Sequence, residues 1–278
     1  MNEGAFPVGI FDSGVGGLSV LRAIRAELPT ERLIYLADQG HVPYGPRPLE
    51  EVRAFSRAIA HFLIQQGAKI IVVACNTASA AALHYLRQEF PDLPFVGMEP
   101  AVKPAAEHTH SGRVGVLATP ATFQGKLYAS VVERFAHGVE IYQDTCPGLV
   151  EQIEAGNLDD PTTRAILEDA LTPMLRQGID TIVLGCTHYP FVIPLIQEIV
   201  GPGVRVIDPA PAIARQVQRV LKSRQALNQS SPGRSFAQAA RLLTTGSPAD
   251  LQRLLPWYLN ETAPVEQLCW QADQLSFC

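Results

Sequence analysis

The chain has 278 residues, enough for one large or two medium domains, and its 47% hydrophobic and 18% charged content suits a globular protein with a sizeable core. A net charge of −5 argues against a broad nucleic-acid-binding surface, and no apolar run approaches the ~20 residues that span a bilayer. No basic flank followed by an apolar segment opens the chain, and five widely spread cysteines make no disulfide framework, so a cytoplasmic protein with free thiols is expected, binding neither nucleic acid nor membrane.

In chain order, short apolar runs rich in β-branched residues lie at 8–11 (VGIF), 33–37 (LIYLA), 70–74 (IIVVA), 95–98 (FVGM), 114–118 (VGVLA), 139–142 (VEIY), 181–185 (TIVLG) and 204–207 (VRVI). Between most of them are stretches with helical spacing, such as RAFSRAIAHFLIQQG and TRAILEDALTPMLRQG. Continuous apolar strands alternating with helices predict an α/β fold of mostly parallel sheets flanked by helices. The polar stretch 227–235 (LNQSSPGRS) reads as a loop or linker. A short strand (RLLTTG) and a short helix (PADLQRLLPWYL) follow; this tail is too small for a core of its own and must pack onto the rest. There is also a weak repeat. VGIFDS (8–13) resembles VGVLAT (114–119), and IIVVACNT (70–77) resembles TIVLGCTH (181–188), at similar offsets. Two related α/β halves are expected, with a hinge at 97–104 (GMEPAVKP).

In open parallel sheets, ligands bind beyond the carboxyl ends of the strands. The informative residues are therefore those after each run: Asp12-Ser13, Asp38, Cys75-Asn76-Thr77, Thr119 and Cys186-Thr187-His188. The stretch FDSGVGGLS (11–19) has three readings. Gly14, Gly16 and Gly17 can present backbone N–H groups to an anion at a helix N-terminus. They can belong to a dinucleotide fingerprint, with Asp38 at about the spacing of a ribose-binding acid. Against this, the third glycine of G-x-G-x-x-G is missing and Asp12 would repel a pyrophosphate. The third reading is a plain glycine turn with Asp12 capping the helix.

One cysteine at a strand end reads as inert packing. Two, Cys75 and Cys186, each followed by small hydrogen-bonding residues at an expected helix N-terminus, read as activated thiols, because a helix N-terminus and nearby donors lower a thiol pKa. In equivalent places of two facing halves they would flank a bound ligand. Inverting a carbon that bears a proton needs a base on each face, one protonated and one not, and electrostatic stabilisation of a carbanion-like state. The rivals are a metal held by Cys75, Cys186 and His188, which lacks the usual ligand spacings, a Cys-His hydrolase or transferase with Asp12 or Glu154 as orienter, which leaves one thiol idle, and a binding protein without chemistry. The loop HVPYGPR (41–47) offers the Tyr44 hydroxyl and the Gly45 backbone, or is simply a stiff connection. TCPGLVEQIEAG (145–156) places Glu151 and Glu154 on one helix, as functional or as solvated acids. Cys146, Cys269 and Cys278 read as bystanders. None of the four lysines, Lys69, Lys103, Lys126 and Lys222, follows a strand end, which is unfavourable for a pyridoxal Schiff base.

The stretches GIFDSGVGGLSVL (9–21), ADQGHVPYG (37–45), VVACNTASA (72–80), VGVLAT (114–119), CPGLVEQIEAG (146–156), LGCTHYP (184–190) and LLTTGSPADLQ (242–252) together resemble the glutamate racemases of the cofactor-independent aspartate/glutamate racemase superfamily. The resemblance implies two similar, pseudo-twofold-related α/β domains, residues 1–98 with 208–278 and residues 99–207, with the active site in the cleft between them. It implies a cytoplasmic homodimer that interconverts L- and D-glutamate without metal or other cofactor, supplying D-glutamate for peptidoglycan. Carried over by position, Cys75 and Cys186 are the acid/base thiols. Asp12 assists Cys75, and Glu154 and His188 assist Cys186. Asp12, Ser13, Tyr44, Gly45, Asn76, Thr77, Thr187 and His188 hold the substrate, and Thr119 and Thr122 line the pocket. Family members often show two acids before the position of Ala155-Gly156 where this chain has one, which bears on the choice of Glu154 over Glu151. Beyond residue 258 the match is loose. An aspartate racemase of the same superfamily is the alternative, decided by the length of the pocket.

Overall fold

The apolar runs form the cores of two sheets in a computed structural model that describes residues 3–229 and 233–278. The strands are β1 (Val8–Asp12), β2 (Leu33–Ala37), β3 (Ile70–Val73), β4 (Phe95–Gly97), β5 (Arg113–Ala118), β6 (Glu140–Asp144), β7 (Thr181–Gly185), β8 (Arg205–Ile207), β9 (Ala240–Thr244), β10 (Val265–Gln271) and β11 (Gln274–Phe277). One sheet has the order β11-β10-β9-β2-β1-β3-β4 and the other β6-β5-β7-β8. Every pairing is parallel except that of β10 with β11. The order β2-β1-β3-β4 is that of β6-β5-β7-β8, so the strands whose sequences repeat, β1 with β5 and β3 with β7, hold equivalent places.

Strands β1, β2, β3 and β7 are buried at every residue, which is why they read as unbroken apolar runs rather than alternating ones. Side-chain alternation then divides them between two faces. Phe11, Leu36 and Val73 face the helices Leu49–Gln65 and Asn76–Glu89. Ile10, Tyr35 and Val72 belong to a larger cluster that also takes in Leu117, Ile182 and Leu184 of the second sheet. The helices Leu18–Glu27, Pro161–Arg176, Ala210–Ser223 and Pro248–Leu259 contribute to this same cluster, so the two sheets share one continuous core.

The tail adds a strand to the first sheet: β9 lies parallel to β2, with Ala37 beside Thr244. Beyond it the sequence reading missed β10 and β11. At this sheet edge few of their residues are buried, Leu268 and Leu275 among them, so no apolar run marks them. The hairpin also corrects the expectation of free thiols. Its register sets Cys269 opposite Ser276, bringing the Cys278 Cα within 5.2 Å of that of Cys269, and the two form a disulfide. Cys75, Cys146 and Cys186 are free.

Of the stretch 227–235, residues 230–232 lie outside the described residues, as do residues 1 and 2 of the N-terminal stretch. No helix among the described residues is long and apolar enough to cross a membrane.

Candidate active site

The carboxyl ends of the strands in both sheets converge on a cavity of about 240 Å³. This is below the roughly 300–1,000 Å³ of pockets for drug-sized ligands and suits a smaller molecule. It is lined by Ser13 after β1, by Cys75, Asn76 and Thr77 after β3, by Thr119 after β5 and by Cys186, Thr187 and His188 after β7. Tyr44 and Gly45 from a loop and Glu151 from a helix also line it.

Cys75 caps the helix Asn76–Glu89, its sulfur accepting the Ala78 N–H at 3.4 Å, with the Ser13 hydroxyl 4.0 Å away. This is the predicted placement, but the predicted lowering of the thiol pKa is overturned. Burial foremost, and then the negative charge of Asp12, push the Cys75 thiol well above its ordinary value, and the helix N–H does not outweigh them. Cys186 leads into a 3₁₀ turn, Tyr189–Val192, rather than directly into an α-helix. Its polar neighbour is His188, whose Nδ1 lies 3.7 Å from the sulfur. The His188 Nε2 is 2.6 Å from Glu154 Oε1. Burial works against protonation of this imidazole, but the hydrogen bonds to Cys186 and Glu154 prevail and hold His188 well above the ordinary histidine value. Burial likewise works against ionisation of Glu154, yet His188, the Val15 N–H and Gln39 together hold its carboxyl below the usual range.

The glycine turn does bind an anion, but an internal one. The Val15 N–H donates to Glu154 Oε1 at 2.7 Å, and the Gly14 N–H to Asp12 Oδ2 at 3.1 Å. A Cβ on Gly14 would fall 1.9 Å from Glu154 Oε1, and one on Gly16 would fall 2.5 Å from His188 Nδ1. The turn is glycine because Glu154 and His188 pack directly onto it. The ribose-binding role weighed for Asp38 also fails. That carboxylate is fully buried and accepts from the Tyr44 hydroxyl (2.6 Å), the Thr245 hydroxyl (2.7 Å) and the Trp270 indole N–H (2.8 Å), with His41 Nδ1 at 3.0 Å. The Tyr44 proton is thus committed to Asp38 instead of being offered to a ligand.

Asp12 is fully buried behind the cavity wall and accepts the Thr187 hydroxyl proton at 3.1 Å. Its hydrogen bonds go to Thr187 and Gly14 rather than to Cys75, which it influences through its charge. Burial raises the Asp12 carboxyl above its ordinary value, against the pull of His188 and the backbone donors. The Thr77, Thr119 and Thr122 hydroxyls form a chain with spacings of 2.8 and 2.9 Å. Asn76, 3% exposed on the cavity wall, has no partner for either its Oδ1 or its Nδ2. A buried amide left unpaired is costly, and here it faces space a polar ligand would fill. Both acids of the helix Leu149–Ala155 have a place: Glu154 faces His188 and Glu151 lies on the cavity wall.

Sequence reasoning passed over Cys146 and Tyr189, which line the cavity, and Gln39, whose Nε2 donates to Glu154 Oε2 at 3.1 Å. For Cys146 the signal existed. Strand β6 runs on to Asp144, so Thr145-Cys146 follows a strand end like the other site residues.

The model of the Asp/Glu/hydantoin racemase family matches residues 16–217, and the chain belongs to that family of isomerases. Within it the chain stands among the glutamate racemases. The glutamate racemase of Pseudomonas paraeruginosa is 52% identical over 250 residues, which cover 90% of this chain and 92% of that one. The structure of a glutamate racemase isoform from Bacillus anthracis matches with a TM-score of 0.84 at 32% identity, covering 97% of this chain and 98% of the other. Escherichia coli glutamate racemase, solved with L-glutamate and the activator UDP-MurNAc-Ala, matches with a TM-score of 0.81 at 34% identity, covering 95% of this chain and 98% of the other.

Proposed function

We propose that this racemase inverts glutamate through two thiols, Cys75 serving one face of Cα and Cys186 the other. In one direction the Cys186 thiolate removes the Cα proton, the electron pair stays on carbon, and the Cys75 thiol delivers its own proton to the opposite face. The reverse reaction exchanges the roles. The observation that carries this reading is the unequal setting of two buried thiols on one cavity. Cys75 keeps its proton because burial and Asp12 disfavour its thiolate. Cys186 lies beside His188, whose positive charge Glu154 sustains and which can donate its Nδ1 proton to charge on the sulfur. One acid and one base are what a single inversion requires. The unpaired Asn76 amide, with Ser13, Thr77 and Thr187, is suited to hold the amino acid's polar groups, and the charge on the carbanion-like state would fall on such preorganised donors.

Glutamate as substrate is supported by the E. coli enzyme, solved with L-glutamate, and a peptidoglycan destination by that enzyme's activator, a muramyl nucleotide. We take residues 1–98 with 208–278 and residues 99–207 as the two domains, and the working form as a cytoplasmic homodimer.

Each enantiomer of glutamate and of aspartate, incubated in ²H₂O without added cofactor, tests the proposal. Glutamate should racemise with deuterium appearing at Cα, and Cys75→Ser and Cys186→Ser should each slow this by about 10²–10⁴-fold. Preference for aspartate would overturn the substrate, and wild-type rates in either single variant would overturn the two-thiol assignment.

A further inference from the structure

A line of hydrogen bonds continues behind Glu154, away from the cavity. Glu154 Oε1 faces His188 Nε2 (2.6 Å) and the Val15 N–H (2.7 Å), while Oε2 accepts from Gln39 Nε2 at 3.1 Å. On its other side Gln39 Oε1 accepts from the Thr244 hydroxyl at 2.9 Å. The Thr244 oxygen in turn accepts the backbone N–H of Gly246 at 3.0 Å. Thr244 ends β9 and is fully buried; Gln39 lies two residues past the end of β2.

The sense of this line is set at its Glu154 end. An ionised carboxylate can only accept, so Gln39 turns its NH₂ to Glu154 Oε2 and its Oε1 to Thr244, whose hydroxyl donates while its oxygen takes the Gly246 N–H. Turned over, Gln39 would set its carbonyl oxygen against a carboxylate oxygen. So Gln39 presents N–H to Glu154, and both carboxylate oxygens face donors. An ionised Glu154 keeps a proton on His188 Nε2 and leaves Nδ1 to face Cys186.

We propose that Gln39 and Thr244 are positioning residues that fix the ionisation of Glu154, and through it the protonation and aim of His188 beside Cys186. They touch neither thiol nor cavity, and they link the carboxyl ends of β2 and β9 in the first sheet to the acid/base group of the second. The inference rests on the two-thiol reading for its effect on turnover, but its effect on His188 stands apart from catalysis. The other titratable groups near Glu154 and His188 are Asp12 at the end of β1, Tyr35 of β2, Tyr258 of the helix Pro248–Leu259, and Cys186. Gln39 donates to none of these, so its loss acts on Glu154.

The test compares wild type with Gln39→Leu, Thr244→Val and Thr244→Ser, the last retaining the hydroxyl. Two readouts are taken: the ¹⁵N ring signals of His188 in the ligand-free protein across pH, assigned with His188→Gln, and the pH profile of kcat/KM for glutamate. In Gln39→Leu and Thr244→Val the Glu154 carboxyl loses an oriented donor, and His188 should release its second ring proton at lower pH than in wild type. The acid limb of kcat/KM should move upward, with a loss of about tenfold or more at neutral pH. Thr244→Ser should restore both readouts. His188 signals unchanged in Gln39→Leu, or Thr244→Ser behaving as Thr244→Val, would overturn the proposal. If the His188 signals shift as expected in a protein that does not racemise glutamate, the relay stands and the catalytic reading falls.

Discussion

Two cysteines in matching places acquire different chemistry from their neighbours. Cys75 sits at a helix N-terminus, the setting that ordinarily favours a thiolate, yet burial and the buried Asp12 carboxylate favour the protonated form. Removing the Asp12 charge must therefore make the thiolate easier to form. Asp12→Asn should shift the alkaline limb of kcat/KM to lower pH, because a negative charge near a thiol raises its pKa and its removal lowers it. A limb that stays in place, or moves upward, would show that Asp12 does not set Cys75 by charge. The residue types of this site were legible in the sequence because they follow strand ends. Their settings were not, since Asp12 and Thr187, or Val15 and Glu154, meet only across the cleft.

At the scale of elements, the site depends on how the short helix Leu149–Ala155 is seated, since it carries both Glu151 and Glu154. Glycines at left-handed φ, Gly148 at 86° and Gly156 at 88°, bound it at each end. The C-terminal helix Pro248–Leu259 holds it in place. Tyr258 donates its hydroxyl proton to the Ile153 carbonyl, and its ring lies 4.3 Å from that of Phe191. Tyr258→Phe keeps the ring and loses the hydrogen bond, about 1 kcal/mol. Thermal unfolding should then fall by about 2–4 °C, together with a loss of kcat, because Ile153 adjoins Glu154. An unchanged kcat would show that the helix seats itself. Most of the eight strands and the tail's first strand and helix were readable because burial writes them as apolar runs; β6 and β8, without a fully buried residue, showed through their Val and Ile alone. The β10–β11 hairpin was not, because an edge position leaves much of it exposed.

At the scale of the molecule, the sheets are joined by one apolar cluster running from Ile10 and Tyr35 through Leu171 and Val217 to Leu184. Neither sheet can lose its packing on that side without exposing the other. Calorimetry should show a single cooperative transition, raised in temperature by glutamate. Two resolved endotherms, one for each sheet, would contradict a shared core.

The sequence by itself determined the alternation of strand and helix, the repeat that places β1 with β5 and β3 with β7, and the pair of thiols after equivalent strands. These are local or periodic properties, written along single elements by burial. Only the tertiary structure decided that the glycine turn receives Glu154 rather than a bound phosphate, that Asp38 is occupied by Tyr44, Thr245 and Trp270, and that Cys269 finds Cys278. Hydrogen bonds and charge act over a few ångströms of space, and these partners lie on different strands and loops: those of Asp38 meet when β9 and β10 join the first sheet, and Glu154 reaches the turn only once both sheets are packed.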